Sequence, residues 1–122
     1  MQRLKKHTIS FKHALDGVIY TISTQPNFTV HLFIAFLAVL LALIFGFSSY
    51  EWLILIFTIA LVVIAEMVNT AIESVVDLVS QSYHLEAKKA KDVAAGMVLL
   101  TAFFAIIIGL HLYLPHLFSL IS

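Results

Sequence analysis

Three long apolar stretches divide the chain, and an amphipathic segment precedes them. In that segment Leu4, Phe11, Leu15, Val18 and Ile22 recur at spacings of three, four and seven. Arg3, Lys5, Lys6 and Lys12 fall on other faces. The pattern predicts a surface helix over about residues 1–24 lying in the headgroup layer, with a frayed basic tail as the plainer alternative. Pro26 separates it from the first span, because proline interrupts the backbone hydrogen-bond ladder. The spans are expected at about 27–47, 52–80 and 93–114. Each suits a bilayer core about 30 Å thick, which takes roughly 20 apolar residues to cross. Residues 32–47 carry no charge; Gly46 and residues 48–51 read as a short turn; Trp52 opens the second span and Pro115 ends the third.

Composition agrees. The 122 residues are 61% hydrophobic and 11% charged, with a mean hydropathy of +1.04. A chain of this length has room for one domain and cannot hide so much apolar surface from water by itself. The fold class expected is therefore an all-α integral membrane protein. No cleavable signal peptide is expected, since the first apolar run begins near residue 28 without a small-residue cleavage pattern. The chain has no cysteine, which excludes a disulfide and a thiolate metal site, and a net charge of zero argues against a nucleic-acid binder.

The basic residues set an orientation. Arg3, Lys5, Lys6 and Lys12 precede the first span, and Lys88, Lys89 and Lys91 lie between the second and third. With three spans all seven fall on one side, which the positive-inside rule makes the cytoplasm, so the N-terminus is expected there.

The second span carries the candidate chemistry. Glu66, Asn69, Glu73 and Asp77 follow at spacings of three, four and four. On a helix they fall within roughly 80° of one another, with Thr70 close beside. About 21 Å of apolar helix separates Trp52 from Glu66, which puts Glu66 within the cytoplasmic half of the bilayer. A charged carboxylate there costs on the order of 2.5–3.5 kcal/mol on insertion scales. A frayed, exposed helix end explains Asp77 and Glu73, but not Glu66 with its apolar neighbours. The outer carboxylates suit a divalent cation such as Mg2+, the deeper one suits a general base, and Lys91 beside Asp92 can meet phosphate as a point charge. There is no P-loop or glycine-rich nucleotide fingerprint. The spacing alone supports an ion- or phosphate-handling membrane site.

The run from Glu66 through Asn69, Thr70, Ala71, Ile72 and Glu73 to Asp77, followed by Ala90, Lys91 and Asp92, resembles the prokaryotic diacylglycerol kinase family, which includes undecaprenol kinases. The resemblance covers nearly the whole chain. It implies an ATP-dependent, Mg2+-requiring lipid kinase of the bacterial inner membrane, a homotrimer with active sites shared between subunits. By it Glu66 is the base that takes the proton of the lipid hydroxyl, Asn69 positions that hydroxyl, and Glu73 binds metal and nucleotide. Asp77, Ser82, Tyr83, His84, Lys91 and Asp92 complete the nucleotide environment. Lys6 and His13 stand where the family contacts nucleotide with an arginine and a tyrosine. Gln25 stands where the family has a second metal-binding glutamate; its amide oxygen can ligate Mg2+ but adds no charge. The Asn27–His31 spacing looks closer to undecaprenol kinases than to diacylglycerol kinases, which makes undecaprenol the favoured lipid and diacylglycerol the second. His31, His111 and His116 read as structural interface residues. The alternative is a small proton- or cation-coupled transporter built on Glu66, against which stands the apolar outer half of every span.

Overall fold

A computed structural model describes the backbone of residues 2–121 and the side chains of residues 10–121. It contains four helices: α1 (Gln2–Thr24), α2 (Pro26–Phe45), α3 (Ser49–Val79) and α4 (Leu85–Ser119). The last three are long and apolar enough to cross a membrane. The all-α, multi-pass membrane architecture expected from the sequence is the one observed.

Local chemistry explains the boundaries. α1 and α2 part at Gln25, whose extended backbone precedes Pro26 at the first helical position, where a missing N–H costs nothing. Gly46 closes α2 in the left-handed conformation (φ 67°). Its N–H bonds to the Leu43 carbonyl and that of Phe47 to Ala42, a Schellman closure. Residues 49–51 are not a turn: they form the first turn of α3, three residues ahead of Trp52. Ser48 caps it, its side chain accepting from the Glu51 N–H while Glu51 Oε2 accepts from the Ser48 N–H at 2.7 Å. Pro115 does not end the third span. α4 runs on to Ser119 with Pro115 inside it, since proline removes one ladder bond and a helix end can continue past it.

The helices differ in length with a consequence for the site. α2, at 20 residues, is about 30 Å long and matches the hydrocarbon core. α3, at 31 residues, is about 46 Å long. The two are joined by the short 46–48 loop, so the excess length of α3 lies at the opposite end, beyond the start of α2. The most deeply packed apolar cluster sits at the loop end, where Ala42, Phe47, Leu55 and Leu112 are buried among Trp52, Ile108 and Tyr113. Elsewhere large apolar side chains such as Phe33, Phe57 and Phe104 are exposed on the single chain, as suits surfaces facing lipid or a second copy. Phe11, Leu15 and Ile22 of α1 are also exposed, so the apolar stripe of the surface helix is open to the membrane.

Candidate active site

The stripe on α3 faces inward over its deeper part. Glu66 is only 2% exposed and Asn69 7%, whereas the Asp77 side chain is 65% exposed. Burial within the chain thus falls from Glu66 toward Asp77. The gradient has a marker: Gln25, at the head of α2, donates from Nε2 to Glu73 Oε2 at 3.1 Å. If α2 spans the hydrocarbon core, Glu73 lies at its edge and Glu66, two turns deeper, about 10 Å inside.

Around Glu73 two amides converge. Asn69 Nδ2 donates to Oε1 at 3.1 Å, and Gln25 Nε2 donates to Oε2. Among the described residues no cation pairs with Glu73. The carboxylate is thus oriented from both sides while its charge remains uncompensated, as suits a site for an incoming cation. Among the described residues no group of three His, Asp or Glu side chains gathers as a ready-made metal cage. The arrangement fits Mg2+ nonetheless, because that ion takes one or two protein ligands and completes its shell with water and phosphate. Gln25 presents its N–H2, not its carbonyl oxygen, to Glu73. It acts here as an orienting donor, and would ligate metal only after an amide flip.

Around Glu66 the polar groups are left incomplete. Glu66 Oε1 and Asn69 Oδ1 are buried without a hydrogen-bond partner among the described residues. Unpaired buried acceptors are rare and costly, roughly 1–3 kcal/mol each. Thr70 offers them nothing, because its hydroxyl donates to the Glu66 carbonyl at 2.9 Å. The nearest group from another helix is His31 of α2, with Nε2 3.2 Å from Glu66 Oε1 but without the alignment of a hydrogen bond. Sequence reasoning treated His31 as an interface residue. The 35-residue separation from Glu66, across two helices, left no periodic signal to join them.

At the rim Lys91 of α4 forms an ion pair with Asp77, and Lys88 pairs with Asp92. Lys91 thus joins Asp77 across two helices, while Asp92 pairs with Lys88 within α4. Ser82, Tyr83 and His84 lie exposed in the 80–84 connection next to this rim, where Ser80 Oγ donates to the Ser82 carbonyl at 2.8 Å. His84 is the N-cap residue of α4 and makes no capping bond with its side chain. His13 stands apart: its side chain is 72% exposed on α1 and its ion-pair partner is Asp16, at 3.9 Å. Lys6 falls outside the residues whose side chains are described.

Two acceptors wanting a donor and a carboxylate without a cation thus lie along one face of α3, with Lys91 of α4 paired to Asp77 at its end. The comparisons with known proteins bear on what that face is for. Residues 12–113 match the prokaryotic diacylglycerol kinase family. The chain is 48% identical over 113 residues to a diacylglycerol kinase of Synechocystis sp., covering 92% of this chain and 65% of that one. It is 40% identical over 108 residues to the undecaprenol kinase of Bacillus subtilis, covering 88% of each. With the diacylglycerol kinase of Escherichia coli K12 it shares 37% identity over 71 residues, 58% of each chain. The chain thus spans a little under two thirds of the Synechocystis relative and most of the Bacillus one. The match runs from the middle of α1 through α2 and the whole α3 stripe to most of α4, and the chain belongs to the prokaryotic diacylglycerol kinase family.

Proposed function

We propose that the protein is a membrane lipid kinase that transfers the γ-phosphate of ATP to the hydroxyl of a lipid alcohol. The observation that carries this reading is the pair of buried acceptors, the Glu66 carboxylate and Asn69 Oδ1, one helical turn apart and without a donor. A lipid hydroxyl can donate its one hydrogen to the Glu66 carboxylate, and a lipid reaches this depth from the bilayer. Glu66 takes the hydroxyl proton as the lipid oxygen forms its bond to the γ-phosphorus; the bond to the bridging oxygen breaks and ADP departs. Asn69 would help position the hydroxyl once its Nδ2 turns from Glu73 to donate to the lipid oxygen. Glu73, with Gln25 beside it, would hold Mg2+ against the phosphates, and the ion would spread the charge that develops on them. Lys91 lies at the rim, where exchange of Asp77 for phosphate would place its ammonium on the nucleotide.

About 10 Å of helix between Glu66 and Glu73 leaves room for hydroxyl and phosphates to lie along one face. The basic residues of α1 and of the first two turns of α4 support a cytoplasmic N-terminus, and in a bacterial inner membrane the rim would then lie where ATP is available. The exposure of His13, whose contact is with Asp16 on its own helix, leaves its nucleotide role to a homotrimer in which a neighbouring α1 closes the site. The transporter alternative receives no support from the comparisons.

For the lipid, undecaprenol is favoured by the Asn27–His31 spacing and by the Bacillus relative's match over 88% of both chains. Diacylglycerol is the second reading, favoured by the higher identity to the Synechocystis kinase. Parallel assays on both lipids in mixed micelles, with γ-labelled ATP and Mg2+, test the proposal. Label transfer to either lipid that Glu66→Gln lowers by roughly 10²- to 10⁴-fold is the expected result. No transfer to either lipid would overturn it.

A further inference from the structure

We propose that His31 is the positioning residue of the Glu66 base, an inference that rests on the kinase reading above. Three observations meet at this side chain. First, Glu66 is a carboxylate 2% exposed, and among the described residues no lysine or arginine pairs with it. A buried carboxylate without a partner is among the most expensive arrangements a membrane helix can hold. Second, the ring nitrogen 3.2 Å from its Oε1 belongs to a different helix. With its proton on Nε2, His31 points a donor at the carboxylate, and a small ring rotation completes the bond. Third, His31 lines one end of an apolar cavity of about 320 Å³ between α2, α3 and α4 that continues along Ala38, Val62 and Ala105 to Leu112. His31 therefore touches both the base and this apolar cavity, with its side chain 24% exposed.

The other groups facing Glu66 cannot take this role. Thr70 is committed to the backbone, the amide nitrogen of Asn69 is committed to Glu73, and Glu73 adds only like charge. Of the polar groups from α4, Lys91 is engaged with Asp77 at the rim. His31 remains as the donor that holds one carboxylate oxygen so that the other keeps a fixed direction toward the hydroxyl. Such an orienting partner acts on the chemical step and not on the binding of lipid.

The test uses the full-length protein in mixed micelles with lipid alcohol, ATP and Mg2+. With the wild type active, His31→Ala is expected to lower kcat roughly 10- to 100-fold, the range seen when an orienting partner is lost. The KM for lipid should stay within about threefold. His31→Gln, which keeps an N–H donor, should recover most of that loss. In a Glu66→Gln background His31→Ala should add nothing, because a residue that acts through the base has no effect once the base is gone. Wild-type kcat in His31→Ala, a loss confined to KM, or multiplying losses in the double variant would each overturn the proposal. Should His31→Ala fail to fold, His31→Gln decides alone: a folded protein with kcat as low as that of Glu66→Gln overturns it. A wild type inactive on every lipid would instead sink the kinase reading.

Discussion

Helix α3 carries two glutamates that each face a histidine from another helix, and the two pairs are built to different ends. At the loop end Glu51 Oε1 lies 2.7 Å from His116 Nε2, and its other oxygen closes the capping box with Ser48. The His116 ring stacks on Phe45 and Phe47, at interplanar angles of 11° and 23°. Nearby, the Tyr113 hydroxyl donates to the Ala38 carbonyl at 2.6 Å. Glu51 and His116 keep about a quarter of their side-chain surface exposed, and no side-chain polar atom of this group is buried without a partner. At the other pair the glutamate is buried, the contact is longer and the carboxylate oxygen is unsatisfied. A tight, partly exposed pair holds helices together, while the looser buried one leaves a carboxylate able to engage a ligand. The same two residue types thus serve cohesion at one end of α3 and, on our reading, chemistry at the other.

Substitutions can break this division. The largest effect is expected at Glu66→Gln, with kcat down by roughly 10²- to 10⁴-fold in the phosphotransfer assay. Its unfolding temperature in detergent should be unchanged or higher, because an amide is cheaper to bury than a carboxylate. Phe47→Ala should do the reverse. It empties the loop-end cluster at a cost of about 3–5 kcal/mol, read by thermal unfolding, and leaves kcat intact at temperatures where the protein is folded. If Phe47→Ala instead lowered kcat as steeply as Glu66→Gln, the two ends would not be separable. Gln25→Glu sharpens the contrast within the stripe by placing a second carboxylate beside Glu73. The Mg2+ concentration for half-maximal activity should fall roughly tenfold, in a metal titration at fixed ATP. The smallest change expected is at Gly46→Ala. Nothing crowds a Cβ there, so the left-handed backbone alone costs about 1 kcal/mol, again by thermal unfolding and without effect on activity.

What was legible beforehand follows from which forces are local in sequence. The spans are long runs whose apolar character no fold could alter, and the stripe is a periodicity within one helix, so both could be read directly. The start of α3 was also legible, since Ser48 and Glu51 have the spacing of a capping box, yet the Gly-Ser-Ser composition favoured a turn. Pro115 shows the limit of a rule about one residue: proline weakens a helix by one bond, and the preceding long apolar run carries α4 through it. Three of the pairs that join helices, Gln25 with Glu73, His31 with Glu66 and Glu51 with His116, lie 35 to 65 residues apart. They depend on packing angles that no periodicity encodes. The resemblance placed Gln25 and Glu73 in one site, but only the structure shows the amide presenting its nitrogen.

The closed loop at residues 46–48 has a consequence for how this chain can vary. Gly46 and the Ser48 cap fix where α3 begins, and the stripe is reached only after the apolar turns that follow. That stretch works as a measuring rod as much as a filler. Any apolar residue can be exchanged for another along it with modest effect. Adding or deleting one residue turns everything beyond it by 100° and moves it 1.5 Å, carrying Glu66 away from His31 and Glu73 away from Gln25. Between Trp52 and Glu66 the count of residues is therefore held more tightly than their identity.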